Sequence, residues 1–279
     1  MRCLDCARHD GEHYLSAALV LLATLPDIFY LCVVMKNEKS RLFYRLGVKL
    51  KKAIFDYALL QGGDRVLIGL SGGKDSLALL ELLGERAKIH SPAFSLVAAH
   101  VVMSNIPYST DLDYLRSLCD AYGIELVVKE ASFNASTDMR KSPCFLCSWN
   151  RRKALFEIAK EHDCNKIALG HHQDDLLQTL LMNLTFQGAF ATMPPLLKMA
   201  KFDMTIIRPM CLIAETDLVA FSRERDYRKQ VKSCPYESDS HRSEMKEVQK
   251  RLEAMNPQAR HSLWAAMTNV QEEYLPKKQ

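Results

Sequence analysis

Six consecutive residues, Ser71-Gly72-Gly73-Lys74-Asp75-Ser76, set hydroxyls, glycines, one cation and one carboxylate between an apolar run and a helical pattern. That combination suits an anion. Glycines let the backbone turn tightly, amide N–H groups at a new helix start face the ligand, and Lys74 adds positive charge. A Walker loop requires a glycine five places before its Gly-Lys pair. Ile68 stands there, so the standard NTPase loop is excluded. A carboxylate beside a phosphate is repulsive unless a cation intervenes, so Asp75 points to Mg2+ nearby, or else serves as a helix cap.

A second polar group lies in 166–184, KIALGHHQDDLLQTLLMNL, where His171, His172, Asp174 and Asp175 follow a strand pattern and open a helix. Acidic residues are favoured at a helix N-terminus, and capping alone would account for one of them. Two adjacent carboxylates with two histidines exceed that need and suit a shared cation.

The third group is sulfur. Cys144 and Cys147 form a Cys-x-x-Cys pair in PCFLCSWNRRK, ahead of Arg151, Arg152 and Lys153, and Cys234 in VKSCPYES precedes a proline. An iron–sulfur cluster, a zinc site with a further ligand, and a redox disulfide between Cys144 and Cys147 are the alternatives. Cys3, Cys6, His9 and His13 imitate a zinc knot, but the Cys6–His9 loop is too short for a finger. Cys32, Cys119, Cys164 and Cys211 lie in apolar runs and read as buried.

The elements that must position these groups alternate. Strand patterns cover 66–70, 94–103, 125–129, 166–170 and 205–208; helical ones cover 74–90, 111–122, 147–162, 174–186 and 215–226. This predicts an α/β fold: a parallel five-stranded sheet with helices on both faces, an N-terminal helical extension and C-terminal helices. In such sheets ligands gather at the carboxyl ends of the strands, where the strand order reverses. The expected organisation is an apolar leader at 1–35, a helix at 41–62, a catalytic domain at 63–236 and a helical tail at 237–279.

The loop resembles that of the PP-loop ATPases, which hold the pyrophosphate end of ATP and direct attack at the α-phosphate. The resemblance implies that Ser71, Gly72, Gly73, Lys74, Asp75 and Ser76 bind the phosphates. It further implies that His100, Gly170 and His171 contact the nucleotide, and that Asp75, Asp174 and Asp175 hold Mg2+, with Lys74 acting alongside these aspartates in catalysis. The ordered set of SGGKDS, the cysteine pair, GHHQDD, MPP, RPM and the late Cys-Pro is similar to the tRNA 2-thiocytidine synthetase family over most of 41–236. In that family Cys144, Cys147 and Cys234 would hold a 4Fe–4S cluster, leaving one iron open to sulfide. The implied reaction adenylates the C2 oxygen of an anticodon-loop cytidine (position 32) in tRNA and replaces it with sulfur. Gln178 stands where the family pattern usually has Glu, which removes one charge from the metal side.

The bulk numbers fit an intracellular enzyme of this kind. The 279 residues are 48% hydrophobic and 25% charged, with a net charge of +4 that permits RNA binding. An odd count of nine cysteines fits a disulfide framework poorly. The apolar stretch 14–35 is near bilayer length, but Pro26-Asp27 interrupts it and no basic n-region precedes it, so Met35 is the expected natural start. The protein is expected in the cytoplasm, with no membrane partner, served by a cysteine-desulfurase-type sulfur donor; the resemblance also allows a homodimer. Arg140, Lys141, Arg151, Arg152, Lys153, Arg228, Lys229 and Lys232 flank the cysteines in sequence and are the expected RNA surface. Rival readings are a lysidine or 2-thiouridine synthetase, and a non-catalytic nucleotide-binding protein on the same fold.

Overall fold

The computed structural model describes residues 38–106, 110–134, 142–200, 202–228 and 241–276. The leader 1–35, Arg140, Lys141, Lys229, Lys232 and Cys234 lie outside the described residues. The chain divides into two units, 1–45 and 46–279. Of the first, only the opening turns of helix α1 (Glu38–Asp56) are described; the architecture below is that of the second.

The sheet is built around β1 (Arg65–Gly69), whose Val66, Leu67 and Ile68 are wholly buried. An unbroken apolar run is what a strand covered on both faces needs. Its neighbours are β2 (Ser95–Met103), β3 (Glu125–Ala131), β4 (Lys166–Ala168), β5 (Leu196–Lys198) and β6 (Thr205–Ile207), in the order β3-β2-β1-β4-β6-β5. β1 pairs in parallel with β2 and β4, for example Leu67 with Val97 and with Ile167. Among the described strands only β5 runs antiparallel, with Leu196 opposite Ile207.

Among the described residues the sheet therefore has six strands, not the expected five. The extra strand is three residues long and carries no periodic pattern to betray it. Its place is fixed from the adjoining strand: the Arg208 N–H donates to the Pro195 carbonyl (2.8 Å) and Arg208 Nη1 to the Pro194 carbonyl (2.6 Å). The MPP and RPM motifs are thus two halves of one hairpin.

Helices α2 (Lys74–Ala87), α3 (Leu112–Asp120), α4 (Pro143–Glu161), α5 (Gln173–Met182), α6 (Glu215–Glu224), α7 (His241–Met255) and α8 (Ala259–Ala266) complete the unit. Right-handed crossovers place α2 and α3 on one face of the sheet and α4 on the other. There Ala154, Ile158 and Ala159 pack with Leu67, Val97, Ala99 and Ile167. Helix α4 begins four residues before the expected 147, because Ser142 accepts the Phe145 N–H (3.2 Å) and Pro143 occupies the first turn. Both Cys144 and Cys147 therefore sit on helical backbone. Helix α5 runs into a π turn, Asn183–Gln187, which ends at Gly188 with φ +61°.

From β1 the chain moves outward through β2 to β3, then crosses back to lay β4 on the other side of β1. The order reverses between β1 and β4. A crevice above their carboxyl ends is the consequence, and the two polar motifs emerge there.

Candidate active site

The loop after β1 is pinned from inside. Ser71 Oγ lies 3.0 Å from Ser76 Oγ, Ser76 Oγ donates to the Gly73 carbonyl (2.9 Å), and the Gly73 N–H reaches Ser71 Oγ (3.3 Å). Gly72 adopts φ +81°, a turn that a side chain would strain. Gly73 caps α2 with no side chain of its own, so the first amide groups of the helix present their N–H bonds to the crevice. Lys74 Nζ is held 2.9 and 3.0 Å from the Asp75 carboxylate oxygens.

The loop after β4 comes within van der Waals contact of this turn. A Cβ on Gly170 would stand 3.2 Å from the backbone C and O of Asp75 and the N of Ser76, so only glycine fits without displacement. Two residues further on, the His172 N–H donates to Asp175 Oδ2 (3.0 Å), which makes Asp175 the cap of α5 as well as a site carboxylate.

Between the two loops lies a cavity of about 330 Å3 bounded by Ser71, Asp75, Ser76, Gly170, His171 and Asp175 on the polar side. Ala99 and Val101 of β2 and Leu155 and Arg151 of α4 close it opposite. A second cavity of about 300 Å3 lies against Lys74, His172, Gln178, Glu215, Ser243 and Lys246. Asp75 and Asp175 border both. In the second cavity Lys246 of α7 bonds Glu215 at 2.7 Å, and Lys74 lies 3.8 Å from the same carboxyl group.

Not every expected residue faces this space. His100 is wholly buried and borders neither cavity. Strand alternation turns Ala99 and Val101 toward the cavity and His100 away. Its Nδ1–H donates to the Leu70 carbonyl at 2.7 Å, bracing the strand end immediately before the loop. Burial, with Arg151 adding to it, holds its imidazole below the ordinary range against the pull of that hydrogen bond.

Asp174 also turns away. It is 6% exposed and accepts from the Glu215 N–H (2.7 Å), Gln249 Nε2 (3.0 Å) and Arg260 Nη2 (2.6 Å). Burial alone would raise its carboxyl pKa, but the Arg260 bond, the Glu215 amide and the charges of Arg260 and His172 outweigh it and set the group below the usual carboxylate range. Asp174 therefore docks α6, α7 and α8 onto the start of α5, and Asp175 is left as the carboxylate facing the cavities. Gln178, also buried, lies 3.4 Å from Gln249 at the edge of the same network.

The cysteine pair and the cavity share α4. Cys144, Cys147, Arg151 and Leu155 follow one another at helical spacing on one side of the helix, with Cys147 about one turn, roughly 6 Å of rise, from Arg151. Both side chains are thiols rather than halves of a disulfide; Cys144 is exposed and Cys147 is partly covered by the core. Two soft sulfur donors on one helical turn suit iron or zinc, and Cys234, the third expected ligand, lies outside the described residues. Among the described residues, no three His, Cys, Asp or Glu side chains form a metal cage by themselves.

Sequence reasoning missed Arg151 as a cavity residue, although its place four after Cys147 signals a shared helix face. It also missed Glu215, Gln249 and Arg260, for which one sequence offers no signal.

Residues 44–270 match the PP-loop domain family. The chain belongs to the PP-loop family. Within it, the chain is 34% identical over 249 residues to the tRNA-cytidine(32) 2-sulfurtransferase of Geotalea uraniireducens, covering 85% of this chain and 96% of that protein. The protein of the same name from Syntrophotalea carbinolica is 35% identical over 245 residues, covering 86% and 95%. Among solved structures, the U34-tRNA thiolase NcsA from Methanococcus maripaludis, determined with its [4Fe-4S] cluster, superposes with a TM-score of 0.68. It is 28% identical, and the match covers 85% of this chain and 84% of that one. The 71–76 turn of this chain opens onto the cavities described above.

Proposed function

We propose that this PP-loop protein is an ATP-dependent tRNA sulfurtransferase that converts cytidine 32 of the anticodon loop to 2-thiocytidine. The observation that carries the reading is the shared face of α4: the Cys144–Cys147 pair stands one to two turns from Arg151, which borders the cavity made by both polar motifs. A chamber for activating an oxygen and thiols for replacing it are thereby set side by side. The likeness to proteins named for this reaction, and to a thiolase with a cluster, supports it.

The chain's own groups divide the work. The 71–76 turn and Lys74 bind the β- and γ-phosphates, and the C2 oxygen of the cytosine attacks the α-phosphorus as pyrophosphate leaves. Charge builds on the phosphoryl oxygens; Arg151 at the first cavity, Lys74 at the second and the α2 amides are the chain's groups that would stabilise it. Asp75 and Asp175 would hold Mg2+, which neutralises phosphate charge; Asp174 acts one step back, fixing the α5 start that presents Asp175. Adenylation makes the C2 oxygen a leaving group, so that sulfur entering at C2 expels AMP. Cys144, Cys147 and Cys234 would hold a 4Fe–4S cluster, whose chemistry is to deliver that sulfur. A cysteine-desulfurase-type protein is the expected source and the cytoplasm the expected location, and the resemblance allows a homodimer. Among the described residues, no helix is long and apolar enough to cross a membrane.

The test is anaerobic purification with iron and sulfide analysis, joined to nucleoside analysis of tRNA from cells with and without the gene. The expected result is bound iron and sulfide, with 2-thiocytidine present only when the gene is. A metal-free protein with unchanged tRNA, or loss of 2-thiouridine at position 34 instead, would overturn the assignment.

A further inference from the structure

The face of α4 next to the cysteines carries a row of rings and cations. Phe145, Trp149, Arg152 and Phe156 recur at i, i+4, i+7 and i+11, one stripe about 16 Å long on a helix rising 1.5 Å per residue. Its members are turned about a quarter of a circle or more from the line of Cys144, Cys147 and Arg151. Trp149 is 50% exposed and Phe145 is 43% exposed; Phe156 is half-buried against the core, and Phe202, 54% exposed, extends the row by packing on it, tilted by 34°, at a centroid distance of 5.2 Å. Such large apolar surface left in water on one stripe is uncommon for a monomer's own stability.

The charge beside its first three turns is positive, and Glu157 at its far end pairs with Lys129. Residues 143–153 contain Arg151, Arg152 and Lys153 and no carboxylate. Lys153 Nζ stands 5.9 Å from the Trp149 ring centroid and 3.9 Å from Glu157, while Arg152 Nε donates to the Ser148 carbonyl one turn back. Rings interleaved with cations fit a strand that offers a π-face and a phosphate with every residue. A double helix hides those faces; an RNA loop displays them.

We infer that this stripe is a stacking platform for unpaired RNA bases, positioning the loop so that one base can enter the cavity beyond Arg151. The inference rests on the tRNA reading and adds to it which nucleotides the protein grips: loop bases on Trp149 and Phe145, not the stem. Trp149 and Trp264 are the two tryptophans of the chain, so Trp264→Phe leaves Trp149 as the sole indole reporter.

In that variant, a tRNA anticodon stem-loop should quench the emission, and a fully paired duplex of the same composition should not. Trp149→Ala should weaken stem-loop binding in a filter assay by about tenfold, the scale of one base–aromatic stack, while ATP binding is unchanged. If the stem-loop binds but the Trp149 emission is unmoved, or the alanine variant binds at wild-type strength, the platform is disproved and the tRNA reading stands. If quenching follows protein concentration without RNA, the face belongs to a second copy of the chain and the inference fails. If no RNA binds at all, both the platform and the tRNA reading fall.

Discussion

Arg260 places its Nη2 2.6 Å from Asp174 Oδ1, joining the helix α8 to the first turn of α5 across 86 residues of sequence. The aspartate side chain is 8% exposed and the arginine 25%. Removing Arg260 strands the buried Asp174 carboxylate, whereas removing Asp174 leaves Arg260 its 2.9 Å pair with Glu253. Arg260→Ala should cost about 3 kcal/mol of stability, the scale for one half of a buried pair, and Asp174→Asn less. The double variant should cost clearly less than the sum, and urea unfolding of the four proteins checks it. The pH dependence has a definite sign. The Asp174 carboxyl is depressed in the folded chain, so its contribution is complete above the ordinary value of 3.8 and is lost as pH falls through the lower folded one.

Asp175 should separate chemistry from folding. An asparagine there still accepts the His172 N–H, so the α5 cap survives while the negative charge beside Asp75 is lost. Asp175→Asn should lower kcat/KM for ATP-dependent AMP formation by about 100-fold, in the range seen when one electrostatic group leaves a phosphoryl-transfer site. The melting temperature should hardly change. Asp174→Asn should show the reverse emphasis, with melting affected first.

Gly170 tests how closely the two loops must approach. The methyl group introduced by Gly170→Ala would press at 3.2 Å on the backbone of Asp75 and Ser76, which cannot swing aside as a side chain would. The expected result is a rise in KM for ATP with a stability cost of about 1–2 kcal/mol. Calorimetric ATP binding at wild-type affinity in this variant would show that the turn has more slack than its geometry indicates.

His100 supplies a second pH signal, well separated from the first. Because burial keeps its pKa below the ordinary 6.5, the unfolded chain takes up a proton there before the native chain does. That part of the stability is present above about pH 6.5 and is lost as pH falls through the lower folded value. His100→Gln keeps a donor for the Leu70 carbonyl but removes the proton-binding nitrogen. Its urea midpoint should therefore change less between about pH 7.5 and about pH 5.5 than that of the unaltered protein.

Much of the site is legible in the chain itself. SGGKDS and GHHQDD are continuous stretches, and both lie at strand ends that the apolar runs of β1 and β4 announce, so their meeting at the order reversal follows from topology. What escapes such reading is tertiary. Asp174 and Asp175 look alike in sequence, yet one accepts three bonds from distant helices and the other caps its own. No local pattern distinguishes them, because the partners Glu215, Gln249 and Arg260 are separated from Asp174 by 41 to 86 residues. His100 escapes for a simpler reason: alternation decides which of 99, 100 and 101 faces the ligand, and phase is invisible in a strand buried on both sides. β5 is too short to register at all.

The docking of α7 and α8 on Asp174 bears on how damage to the gene would be felt. A premature stop near codon 240 spares every sheet strand and both loop motifs, and a reader of the open reading frame would score it as harmless trimming. It deletes Lys246, Gln249 and Arg260 together, unmooring the carboxylate that anchors the start of α5. Such alleles should behave as complete losses, as severe as a lesion in the phosphate turn itself.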